Sequence, residues 1–69
     1  MITGKVKWFN QDRGYGFIEP DGDGPDVFVH VSALDEAGID TLNDGDEVQY
    51  SAVPGRDGRA QAANIRRLI

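Results

Sequence analysis

The sequence predicts a small all-β fold of five short strands, and three observations predict it. Glycine and proline punctuate the 69 residues at short intervals, with nine glycines and three prolines. The stretches between them are rich in β-branched and aromatic residues, which suit a pleated, half-buried surface. No stretch carries a helical period over about ten residues or more. With so few strands, closing the sheet into a barrel is the most effective way to remove exposed edges. A five-stranded OB-type barrel fits the length.

The elements follow in order. The first strand is expected from Thr3 to Asn10, ended by Gln11-Asp12-Arg13-Gly14. The second runs from Tyr15 to Glu19 and is stopped by Pro20, which has no N–H for a ladder. Asp21-Gly22-Asp23-Gly24-Pro25 is a turn,. The third strand is expected from Val27 to Val31, with the valines on one side and Phe28 and His30 on the other,. A longer segment from Ser32 to Asp46 follows. Its Asp35-Glu36-Ala37-Gly38 predicts a single helical turn, with Ser32 as N-cap,. Asn43-Asp44-Gly45 turns the chain into a fourth strand, Glu47 to Val53, which places Val48, Tyr50 and Ala52 on one side. Pro54-Gly55-Arg56-Asp57-Gly58 then turns it into a fifth, Ala60 to Leu68.

One domain, residues 1–69, is all this length accommodates,. There is no cysteine, hence no disulfide or thiolate metal site,. No apolar run is long enough to cross a bilayer,. Met1-Ile2-Thr3-Gly4-Lys5 lacks the apolar core of a signal peptide,, so a soluble intracellular protein is expected. The net charge of −5 argues, taken alone, against nucleic acid. Its distribution argues otherwise. Residues 1–18 carry Lys5, Lys7 and Arg13 against Asp12, and residues 58–69 carry Arg59, Arg66 and Arg67 with no acid. The other eleven acids lie between, with Arg56. If the two ends are neighbouring strands, one face is neutral to positive.

Alternation sorts the side chains of strands two and three. Gly16 and Ile18 share one side, and Tyr15, Phe17 and Glu19 the other,. A tight interior suits Ile18, Val27, Val29 and Val31. If the two strands pair, Tyr15, Phe17, Phe28 and His30 form one contiguous outer patch. The inverse arrangement would bury Glu19 and His30 with the rings, which is costly. An exposed aromatic patch marks a binding surface. Trp8 beside Lys7 extends it to strand one. Flat rings beside Lys and Arg suit single-stranded nucleic acid: bases stack on the rings and cations follow the phosphates.

Arg13-Gly14-Tyr15-Gly16-Phe17-Ile18 fits the RNA-binding pattern K/R-G-F/Y-G/A-F-V, with Ile for Val,. An RRM domain shares that pattern, but its partner motif lies upstream and it needs two helices. Here the partner-like Val27-Phe28-Val29-His30-Val31 lies downstream. With Gly4-Lys5-Val6-Lys7-Trp8-Phe9-Asn10 before it, and Ser32-Ala33-Leu34, Thr41-Leu42 and Gln61-Ala62-Ala63-Asn64-Ile65 after it, the chain closely resembles the cold-shock domain family over nearly its whole length.

The resemblance implies a five-stranded antiparallel Greek-key β-barrel of the OB type. It implies sequence-tolerant binding of single-stranded RNA and DNA, with RNA-chaperone and transcription or translation roles in the bacterial cytoplasm. It implies no cofactor, and a monomer when free, with a swapped or paired dimer as the alternative. Carried over by position, Trp8, Tyr15, Phe17, Phe28 and His30 match the family's stacking residues. Lys7 and Arg13 match its phosphate-contacting cations. Asp26 and Gln61 match positions that bond base edges, and Arg56 lies in the variable loop between strands four and five. The family arrangement needs Val6 inside and Trp8 outside, which simple alternation forbids, so a bulge or strong twist is expected in strand one. Val31 and Ile39 stand where many relatives have phenylalanine, so two platforms are missing. Ala60 stands where proline is common.

Other readings are weaker. The one histidine has no obvious base partner nearby in sequence, and most carboxylates sit in turns, so an enzyme is not expected. Asp21-Gly22-Asp23-Gly24 suggests a calcium loop only faintly, because Ser32 stands at its twelfth position,. Gly14-Tyr15-Gly16 is no dinucleotide fingerprint, because Glu19 replaces its third glycine,. A protein-interaction module using the aromatic patch is the remaining rival.

Overall fold

The computed structural model describes residues 1–22, 24–55 and 58–68. The elements are β1 (Ile2–Asn10), β2 (Tyr15–Pro20), β3 (Val27–His30), α1 (Val31–Ala37), β4 (Glu47–Pro54) and β5 (Ala60–Arg67). The strands close into a barrel in the order β1-β2-β3-β5-β4. β1 is shared between two neighbours. Its first half pairs with β4, from Ile2↔Tyr50 to Lys5↔Glu47, and it pairs with β2 from Gly4↔Pro20 to Asn10↔Tyr15.

The expected all-β barrel is present, but one seam is not antiparallel. β3 and β5 meet in parallel at Phe28↔Gln61. Between them lie α1 and β4, and β4 runs antiparallel to β5. The chain therefore returns to β3 by a crossover and in the same direction.

The valine rows fill the interior. Val6, Ile18, Val27, Val29, Leu34, Val48, Tyr50, Ala62 and Ile65 are buried, and no polar or charged residue is buried with them among the described residues. Burial of these side chains, at about 1.5–3 kcal/mol for each large one, is the main favourable term for so short a chain. Val31 departs from the expected row. It opens α1 rather than ending β3, is half-buried, and donates its N–H to the Gly14 carbonyl at 2.8 Å. Alternation ends where the backbone turns helical.

Helix α1 is also longer than the single turn expected, and its N-cap is His30 rather than Ser32. His30 is extended (φ −103°, ψ 152°), and its side chain accepts the Ser32 amide. A ring nitrogen here does the work usually given to a hydroxyl or carboxylate. Gly38, in the left-handed region at φ 73°, closes the other end,.

Two bulges set which residues face inward. Val6 pairs with Ile18 and Trp8 with Phe17, so Lys7 is the extra residue on β1. The bulge lets Val6 be 2% exposed while Trp8 is 36% exposed, as the family arrangement requires. On β5, Gln49↔Arg66 and Ser51↔Ala63 leave one extra residue between Ala63 and Arg66. Asn64 lies there with φ 53°, a conformation asparagine tolerates better than most residues. Ala62 and Ile65, three apart, therefore both point inward. Ala52, expected beside Val48 and Tyr50, is exposed. Beyond Tyr50, β4 has lost β1 as a neighbour and pairs with β5 alone.

The acidic loop after α1 is held by a cation. Arg67 donates to the Thr41 carbonyl and lies 3.6 Å from Asp46.

Candidate nucleic-acid interface

The β2–β3 register decides the orientation of the aromatic residues. Tyr15 lies opposite His30 and Phe17 opposite Phe28, while Gly16↔Val29 and Ile18↔Val27 form the alternate pairs. Since Val27, Val29 and Ile18 are buried, the ring-bearing pairs face outward. Trp8, opposite Phe17 across β1–β2, joins them.

The rings form one continuous patch. Trp8 lies 5.5 Å from Tyr15 and 5.3 Å from Phe17, centroid to centroid, both edge-on. Phe28 lies 5.8 Å from Phe17, also edge-on, and 5.8 Å from Tyr15 in a stacked arrangement at 23°. His30 continues the row at 6.4 Å from Phe28. Edge-to-face and offset contacts of this kind favour mutual packing. They hold each ring in place and half-bury Tyr15, Phe17 and Phe28.

Gly16 permits the close approach of β1 behind this patch. A Cβ there would lie 2.3 Å from the Trp8 carbonyl oxygen and 2.7 Å from Phe9 Cα. Any side chain would push β1 away and take Trp8 with it.

The five rings line one open cleft of about 810 Å³, and Gln61 borders it from β5. A second cavity of about 390 Å³ shares Phe17 and Phe28 with the cleft and is also bounded by Pro25, Asp26, Arg59 and Ala60. The structure thus brings together six of the expected site residues, Trp8, Tyr15, Phe17, Phe28, His30 and Gln61, and puts Asp26 at the adjoining cavity.

The expected cations behave differently from one another. Lys7 Nζ donates to Asp26 Oδ2 at 3.0 Å. That hydrogen bond, reinforced by the Asp26 charge, raises the Lys7 pKa. The two groups expected to meet phosphate and base thus meet each other. Arg13 lines neither cavity; its backbone N–H donates to Asn10 Oδ1 at 3.0 Å in the β1–β2 turn. Arg56 lies outside the described residues. None of the acids between Asp35 and Glu47 lines either cavity.

Four residues outside the expected site border the cleft, Ser32, Gly55, Arg59 and Ala60, and two of them, Ser32 and Arg59, carry polar side chains. A signal existed for both. Arg59 stands two positions before Gln61, hence on the same side of an extended chain. Ser32 stands two after His30, within reach of its imidazole.

Among the described residues no group of three or more His, Asp or Glu side chains is placed to hold a metal ion, and no helix is long and apolar enough to cross a membrane.

Residues 2–68 match the "Cold-shock" DNA-binding domain family. The chain is 53% identical over 68 residues to cold shock protein CspB of Bacillus caldolyticus, covering 99% of this chain and 100% of that one. It is 55% identical over 65 residues to the cold shock-like protein CspD of Bacillus cereus, covering 94% and 96%. It is 48% identical over 67 residues to the probable cold shock protein y4cH of Sinorhizobium fredii, covering 96% and 97%.

Proposed function

Because the chain belongs to the "Cold-shock" DNA-binding domain family, we propose that it binds single-stranded RNA and DNA by stacking bases on Trp8, Tyr15, Phe17, Phe28 and His30. The observation that carries this reading is the row of five touching rings lining one open cleft. A monomeric protein gains nothing in stability by presenting such a row to water, and bases are flat partners for it.

The magnitudes are sufficient. Each stacked base contributes roughly 1–3 kcal/mol, so four platforms supply on the order of 4–12 kcal/mol before ordering costs. Micromolar binding needs about 8 kcal/mol. Stacking alone therefore reaches the micromolar range. Gln61 and Asp26 add hydrogen bonds to base edges, and Arg13 and Arg56 are assigned to phosphate.

Holding unpaired bases shifts hairpins toward open strands by mass action, without ATP. That is the physical route to an RNA chaperone, and to control of transcription or translation wherever a hairpin governs either. The protein acts as one cold-shock domain, as a monomer in the cytoplasm, and performs no covalent chemistry. Its one histidine serves as a platform and a helix cap.

The test is quenching of Trp8 fluorescence by a short oligothymidine. Saturable quenching is expected, together with loosening of a weak RNA hairpin at saturating protein. No response of Trp8 to any single strand at low salt would leave a protein-interaction module as the better reading.

A further inference from the structure

We infer that Lys7 and Asp26, acting as a pair, select guanine at one position of a bound single strand. This assignment rests on the single-strand reading of the cleft and names a base for one place in it.

The pair is built on the ring-bearing side of the sheet. Lys7 is the extra residue of the β1 bulge, between buried Val6 and outward Trp8, and is itself exposed. Its ammonium reaches past β2 to Asp26, the residue that precedes β3. Asp26 stands two positions before Phe28 and lines the smaller cavity with Phe17 and Phe28. A base stacked on either ring there can turn its edge to the carboxylate. Both side chains remain open to a ligand, 53% exposed for Lys7 and 35% for Asp26. An ion pair so exposed contributes little to stability, so holding the fold does not account for it.

Charge narrows what the pair can meet. Among the described residues Asp26 is the one acid that lines either cavity. A carboxylate only accepts hydrogen bonds, and it repels the phosphates of a strand. Its partner is therefore a base edge that carries N–H groups.

The order of donors and acceptors selects the base. Lys7 Nζ donates to Asp26 Oδ2 at 3.0 Å. That leaves further N–H groups on the ammonium and lone pairs on both carboxylate oxygens. The pair presents donor, acceptor, acceptor, the order found on the Watson–Crick edge of cytosine. Guanine is its complement: O6 accepts from the ammonium, and N1–H and N2–H donate to the two oxygens. Thymine and uracil flank their single N–H with two carbonyls, so one carbonyl meets a carboxylate oxygen. Adenine and cytosine carry a ring-nitrogen lone pair where guanine carries N1–H. The hydrogen bond to Asp26, with its charge, raises the Lys7 pKa, so the donor is retained at neutral pH. Single-stranded bases leave these edges free to be read.

The experiment is a titration of Trp8 fluorescence with short oligothymidines in which one guanine, adenine or inosine replaces thymine at each position in turn. It compares wild type, D26N and K7M, with thermal unfolding to verify the fold of each. For wild type, guanine at one position should tighten binding roughly tenfold over thymine or adenine there, the value of one bidentate base contact. Inosine, which lacks the N2 amine, should fall between guanine and adenine. D26N should bind the guanine and thymine strands within about twofold of each other, and K7M should keep only part of the preference. Equal binding of guanine and adenine strands at every position, or a full preference in either variant, would overturn the pair as a guanine reader and leave the cleft intact. If wild type binds none of the strands, the single-strand reading falls and the guanine assignment with it.

Discussion

His30 Nδ1 lies 3.2 Å from the Ser32 amide nitrogen and 3.0 Å from Ser32 Oγ, so the imidazole at the end of the ring row also caps helix α1. A backbone N–H only donates. Nδ1 is therefore the bare nitrogen, and in the neutral ring the proton sits on Nε2. One side chain fixes where β3 ends and presents an N–H donor beside the cleft.

Substitutions at His30 should separate these two roles. H30A should lose about 0.5–2 kcal/mol of stability, the usual cost of removing a cap. H30N should recover that stability, since asparagine caps well, while binding stays weakened by roughly 1–3 kcal/mol for the missing platform. Urea unfolding and oligonucleotide titration of the same samples check both. Equal stability of H30A and wild type would remove the capping role.

Rings should matter more than Lys7. F17A and F28A should each weaken oligothymidine binding by about 1–3 kcal/mol, and F17A more broadly, because Phe17 also supports Trp8. K7A should cost less, since Lys7 is held by Asp26. Titration of the three variants at one salt concentration decides the order. A larger loss in K7A would reverse the weighting of stacking over charge.

Tyr50 should be replaceable by phenylalanine with no loss. Its ring is buried in the core, and its hydroxyl has no hydrogen-bond partner among the described residues. Burial, with the Asp21 charge adding, raises its pKa above the ordinary tyrosine value. A buried unsatisfied hydroxyl costs on the order of 1–3 kcal/mol, so Y50F should be as stable as wild type or more so. The pH dependence has a definite sign. Above about pH 10 the unfolded phenol ionises first, the folded state then holds more protons, and stability falls as pH rises. Denaturation midpoints of Y50F should show less of that alkaline fall.

G16A should damage fold and site together. The added Cβ would stand 2.3 Å from a backbone oxygen of β1, which forces the strands apart. A loss of at least about 1–3 kcal/mol is expected from such overpacking, with altered Trp8 emission in the free protein. Unchanged stability and emission would show that β1 yields freely there.

Much of the fold was legible because its signals are local. Strand alternation has period two, so Val27 and Val29 on one side and Phe28 and His30 on the other could be assigned without knowing any partner. The same rule failed at Val31, where an extended chain becomes helical, and at Ala62 and Ile65, where Asn64 adds a residue. Those breaks depend on hydrogen bonds to distant backbone, such as Val31 to Gly14, and no periodicity contains them.

The amino-acid sequence by itself determined the strands, most of their two faces and which aromatic side chains share the outer patch, because each follows from steric preferences of neighbouring residues. Tertiary structure alone decided which charges meet. Lys7 and Asp26 are 19 positions apart, and Arg59 joins Phe17 and Phe28 only once β5 closes against β3. Coulombic and hydrogen-bonding partners are set by distances of a few ångströms across the closed barrel, and that closure is a property of the whole chain.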